Sequence, residues 1–182
     1  VRTASLRADL VRLEGELSGV DRLKFDAELA ENHKDIANSA KETFLANTRH
    51  INNLISAQKQ SVTQRKEEVK QIQARIEKNQ NSLVLLREQI SISDDLLENN
   101  LTNKMLHLNF LKEESELDGQ LSEDYAALKK IEAATMEAEI RISTIRDNYV
   151  SETRQEFGEK ISFLEELRQR EEKLKDNLQR TV

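Results

Sequence analysis

Ile55, Val62, Val69, Ile76, Leu83, Ile90 and Leu97 follow one another at intervals of seven through the middle of the chain. A strict seven-residue repeat keeps one edge of an α-helix apolar over many turns, and such an edge needs a second helix to cover it. The companion positions three residues on, Gln58, Arg65, Ile72, Asn79, Leu86 and Ser93, are only half apolar. The seam therefore sets alignment at some expense of stability. Arg65 and Asn79 admit two readings: they specify alignment inside the seam, or they mark where this face turns toward solvent.

The chain contains no proline, and from Asp26 to Asn99 no glycine either. This stretch is rich in Glu, Lys, Gln, Ala and Leu, which predicts one outgoing helix over 26–99 with Asp26 as its cap. A helix of roughly 73 residues extends on the order of 110 Å and must find a partner along that length. Upstream, Leu6, Leu10, Leu13 and Leu17 share one helical face and predict a short helix over 3–17. Ser18-Gly19 would end it, followed by a loop over 18–25.

The heptads break at Glu98-Asn99-Asn100, where asparagine suits a turn, and resume beyond Thr102-Asn103 with Met105, Leu108 and Leu111. A tip over 100–102 then leads into a return helix over 103–180. Its seam reads Leu121, Leu128, Thr135, Ile142 and Tyr149, with Leu117, Ile131, Ala138 and Ile145 as companions and Asp124 interrupting them. Past Val150 the apolar series continues through Phe157, Leu164 and Leu178, with Leu167 and Leu174 as companions, displaced by one residue. A local change of supercoil would absorb that shift. The first helix is expected at the open end, beside Leu167 to Leu178.

The near-equal limbs predict an all-α fold: a long antiparallel two-helix coiled-coil hairpin preceded by a short N-terminal helix. Residues 1–182 are read as a single helical domain and, starting at Val1 without methionine, as a portion of a larger protein. The competing reading is a continuous rod that dimerises in parallel, a cytoplasmic structural coiled coil or tether. A three-helix spectrin-like module would need a first helix as long as the others.

Composition narrows function by exclusion. With 28 basic residues interspersed among 34 acidic ones and a formal charge of -6, no surface tracks a phosphate backbone, so nucleic acid is not expected as a partner. No apolar run approaches the roughly 20 residues of a membrane span. His33, His50 and His107 lie far apart and lack a second ligand at a metal-binding spacing. They read as exposed helix histidines. Pairs such as Glu113-Glu114 and Glu165-Glu166 sit on solvated helix, which offers no pocket to shift a pKa. No catalytic residue, metal site, cofactor or small-molecule substrate is expected.

The turn is the candidate binding region. Between Ser91 and Asn103 the chain carries Asp94, Asp95 and Glu98 with no basic residue, beside Leu96, Leu97 and Leu101. A small apolar tip with an acidic collar suits docking, although the same leucines could simply close the coiled coil.

The opening LRADLVRLEGELSGVDRLKF, the centre LLENNLTNKMLHL and the ending FLEELRQREEKLKDNLQRTV together resemble, in order and spacing, the helical hairpin of HlyD-type membrane fusion proteins. These are the periplasmic adaptor subunits of type I secretion systems in Gram-negative bacteria. The resemblance spans nearly the whole chain. It implies a parent anchored in the inner membrane, with a lipoyl domain split by the hairpin and a β-barrel domain. It also implies a role in bridging an inner-membrane ABC exporter to a TolC-like outer-membrane channel, several copies standing side by side in a ring. Related adaptors carry at the tip an arginine, then a leucine, then a hydroxyl residue. That spacing falls on Ile92, Leu96 and Asn103, so only the leucine is kept, with Thr102 beside the hydroxyl position and Arg87 upstream. The docking residues implied are Leu96, Leu97, Leu101, Thr102 and Asn103.

Overall fold

The computed structural model describes residues 2–180. Four helices follow in order: α1 (Arg2–Ser18), α2 (Ala27–Asn32), α3 (Lys34–Glu98) and α4 (Lys104–Arg180), with no strand among the described residues. The helices pack in two compact units, one formed by residues 1–57 and 141–182 and the other by 58–140. Within each unit α3 and α4 pack on each other. From Ser93–His107 to Arg87–Glu114 to Arg75–Asp124, the α3 number falls almost as fast as the α4 number rises, so the two run antiparallel. The helix partner is thus in the same chain, as the hairpin reading expects and against the competing parallel rod.

The unit of residues 58–140, the turn unit, is a two-helix seam. Val62, Ile76 and Leu83 are buried and Val69 and Ile90 half-buried, as are companions Arg65, Ile72 and Asn79. On α4, Leu121 is buried and Leu128 half-buried. Ile76, Leu83 and Leu121 form a core cluster, flanked by Ile72, Leu117 and Leu128. Asn79 and Asp124 meet inside the seam, where Asn79 Nδ2 donates to Asp124 Oδ2 at 3.3 Å and Arg75 Nε donates to Oδ1 at 2.8 Å. Asn79 thus lies inside the seam and is not turned toward solvent. A further polar link, Gln58 Nε2 to the Ala138 carbonyl at 3.2 Å, crosses the seam lower down.

The unit built from both chain ends, the terminal unit, is thicker because α1 joins α3 and α4. Ile55, Ile142 and Ile145 are half-buried there. On α4 the covered face widens beyond Tyr149 to include Thr153, Glu156, Phe157, Lys160, Phe163 and Leu164. The displaced heptad therefore accompanies a second helix to cover. α1 meets α4 through Arg12–Glu156, Asp9–Lys160 and the Arg2 guanidinium over the Phe163 ring, at 156–163 rather than at Leu167 to Leu178. The side chain of Leu178 lies outside the described residues.

The outgoing helix expected over 26–99 is two helices. Asp26 does cap a start, accepting from Leu29 N at 2.9 Å, but the helix stops at Asn32. His33 leaves helical geometry, and its carbonyl then accepts from Ala37 N to begin α3. Two forces hold α2 on α1: Leu29 is fully buried among Ala4, Ala8 and Ala40, and Arg7 pairs with both Asp26 and Glu28. With α2 held, the backbone yields at Asn32-His33, two residues of modest helix propensity.

Candidate partner-binding tip

The turn between α3 and α4 is fixed by its own backbone. Asn100 takes the left-handed conformation with φ 58, which asparagine tolerates better than other side chains. Leu101 N donates to the Leu96 carbonyl at 2.8 Å and Asn100 N to the Leu97 carbonyl at 3.0 Å. These are the paired bonds of a Schellman ending, which satisfies the last carbonyls of α3. Asn99 adds a side-chain bond to the Asp95 carbonyl at 2.7 Å. On the other side Asn103 caps α4, its Oδ1 accepting from Met105 N at 2.8 Å. The return helix accordingly starts at Lys104 instead of at Asn103.

With the backbone satisfied locally, the side chains are left over for contact. Leu101 is 73% exposed and Leu96 is 38% exposed. Leu97 is half-buried at the end of the seam, and Thr102 is half-buried too. Asn103 is exposed but its oxygen serves the cap. The candidate surface thus rests on Leu96 and Leu101, joined by two further exposed side chains, Met105 and Leu106. Resumption of the heptads at Met105, Leu108 and Leu111 predicts a seam there, but all three side chains are exposed, and Leu106 has no place in the repeat. Asp94, Asp95 and Glu98 stand exposed around this knob.

Behind it lies a residue that sequence reasoning misplaced. His107 is buried in the seam, not exposed on a helix surface, with Nδ1 3.3 Å from Ser93 Oγ and Nε2 3.3 Å from Asp94 Oδ1. Counting back by sevens from Leu121 reaches this position, so the signal was present in the repeat. Further along, Arg87 donates to Glu114 at 2.7 Å and reaches Asp118. The hydrogen bond to Glu114 is the main reason its guanidinium is held above the usual arginine range.

Elsewhere the polar groups are structural. In the terminal unit Arg12 donates to Glu16 at 3.0 Å and to Glu156 at 2.7 Å, and Asn47 donates to the same Glu16 oxygen. Burial works against the Arg12 charge, but Glu16 and Glu156 outweigh it and raise its pKa. Burial, then the hydrogen bond with Glu16, holds the Tyr149 phenol well above the usual tyrosine range. Among the described residues no group of His, Asp or Glu could hold a metal ion, and no helix is long and apolar enough to cross a membrane.

The chain matches a family model described as AprE, long alpha-helical hairpin, over residues 1–177. Among solved structures it is similar to the soluble domain of LipC, a membrane fusion protein of a type I secretion system. That likeness has a TM-score of 0.90 at 19% identity and covers 100% of this chain and 87% of that one. At such identity it speaks for the fold. None of the curated proteins matches the chain.

Proposed function

Because this chain belongs to the AprE long helical hairpin family, the hairpins of type I secretion membrane fusion proteins, we propose that it links an inner-membrane ABC exporter to a TolC-like outer-membrane channel and docks through its tip. The parent protein is anchored in the inner membrane and presents the hairpin in the periplasm. ATP hydrolysis belongs to the exporter; the hairpin supplies attachment.

One observation carries the docking step. The loop between α3 and α4 satisfies its own backbone yet leaves Leu96, Leu101, Met105 and Leu106 exposed inside an acidic collar. A loop whose backbone is already fixed loses little backbone entropy on binding. Leu97 and Thr102 support the knob from its rim, and Asn103 holds the α4 end of the loop. Such a small surface binds weakly alone, and a ring of copies multiplies it through effective concentration.

The test is Leu96→Asp combined with Leu101→Asp in the full-length adaptor. Both positions are exposed, so helicity by circular dichroism should stay unchanged while secretion is lost. Secretion at the parental level would remove the tip from the mechanism.

A further inference from the structure

The turn unit carries two exposed patches that its own seam does not use. On α3, Leu85 is 62% exposed and Ile92 is 55% exposed. Glu88 and Asp95 fall between and after them, and at spacings of three and four these four residues share one helical face. On α4, Leu108 and Leu111 are exposed, with Lys104 one turn before Leu108 and Lys112 one turn after it. The first patch is apolar with an acidic rim, and the second is apolar with a basic rim.

They lie on opposite sides of the helix pair. Arg87 reaches Glu114 and Asp118 and so marks one broad side. Leu111, three and seven residues before those two carboxylates, is on that side. Leu85 and Ile92, two before and five after Arg87, point away from it, since each residue turns the helix by about 100°. A contact between the patches would therefore join unlike surfaces of two copies, the kind of contact that closes into rings.

The register within one chain also fixes the levels. Ser93 faces His107, and the two helices run antiparallel nearly one for one. Ile92 accordingly stands at the height of Leu108, Glu88 at that of Lys112, and Asp95 close to that of Lys104. Two copies standing level would bring each acid to a lysine and Ile92 to Leu108, with Leu85 about one turn beyond the level of Leu111. In the free chain Lys112 has only a loose partner, Glu116 at 3.6 Å, both being well exposed.

We infer that the outer face of α3 around Ile92 and Glu88 is the docking surface for the outer face of α4 around Leu108 and Lys112 in a second copy of this chain. The inference rests on the side-by-side ring of the proposed function and assigns its faces and register.

The native chain has no cysteine, so single cysteines report contacts cleanly. Ile92→Cys chains are mixed with Leu108→Cys chains and oxidised at high concentration, and disulfides between unlike chains should outnumber those between like chains. Adding Glu88→Lys to the first chain should cut the mixed product by up to roughly fivefold, the span of an exposed ion pair, and Lys112→Glu on the other should restore it. Circular dichroism checks that every variant keeps its helicity. Equal yields of like and unlike products, no restoration by the charge swap, or no cross-link at all would each overturn the assignment. Tip docking is read separately through Leu96 and Leu101, so it can stand while this contact falls, or fall while this one stands.

Discussion

The two units solve the same covering problem by different means. In the turn unit a two-helix seam is repeated heptad after heptad, with Ile76, Leu83 and Leu121 at its centre and no residue fully enclosed. In the terminal unit a third helix adds depth: Leu13 and Leu29 are fully buried, and so is most of an ionic cluster, the side chain of Glu16 being only 2% exposed. A thin seam spreads its stability over many equal contacts, whereas a third layer concentrates it in a few. Substitutions should expose this contrast.

The largest effect is expected at Arg12. Arg12→Ala leaves the Glu16 carboxylate buried with only neutral donors, Asn47 and Tyr149, around it. Removing one partner of a buried pair typically destabilises by about 3–5 kcal/mol. Urea denaturation followed by helicity should show that loss. If the loss were no larger than for an exposed pair such as Lys66–Glu139, the Arg12 cluster would contribute nothing special to holding α1.

A smaller effect is expected in the seam at Asp124. Asp124→Ala strands the Asn79 amide and frees Arg75, and an unsatisfied half-buried polar group typically loses about 1–3 kcal/mol. Replacing both Asp124 and Asn79 by leucine should recover stability and weaken alignment, because the polar match at the centre of the seam that distinguishes one register from the next is then gone. Spin labels at positions 66 and 139 would read the second point. A distance distribution as narrow as in the native seam would show that the apolar heptads alone fix the register.

That polar match explains how much of the fold was legible. The ladder from Ile55 to Leu97 marked the α3 seam, and its polar companions Asn79 and Ser93 lie opposite Asp124 and His107. Polar interruptions of one limb thus meet those of the other at two levels of the seam, though the exposed reading of His107 concealed one of them. The break at His33 left no such mark, since no proline or glycine stands there and the bend comes from Leu29 and Arg7 reaching α1. Leu106 was likewise hidden and Met105 misassigned to the seam, because the start of α4 acquires meaning only once the cap at Asn103 places it at the tip.

The smallest effects, of opposite sign, should come from the glycines. A methyl at Gly15 would meet Leu23 Cδ2 at 2.3 Å and Val20 Cγ2 at 3.3 Å, where the loop after α1 folds back on the helix. Gly119 and Gly158 have open space at the same point, so no neighbour's close approach explains either. Alanine is the better helix former by about 1 kcal/mol, so Gly119→Ala and Gly158→Ala should each stabilise the chain by up to that amount in thermal denaturation. At Gly15 the same gain is offset by displacement of Leu23, a flexible side chain that can move only by giving up its half-buried position. Gly15→Ala should therefore be neutral or destabilising. Were it to stabilise as much as Gly119→Ala, the loop over α1 would contribute nothing to holding the third helix, and the concentration of stability in the terminal unit would rest on Arg12 and the buried leucines alone.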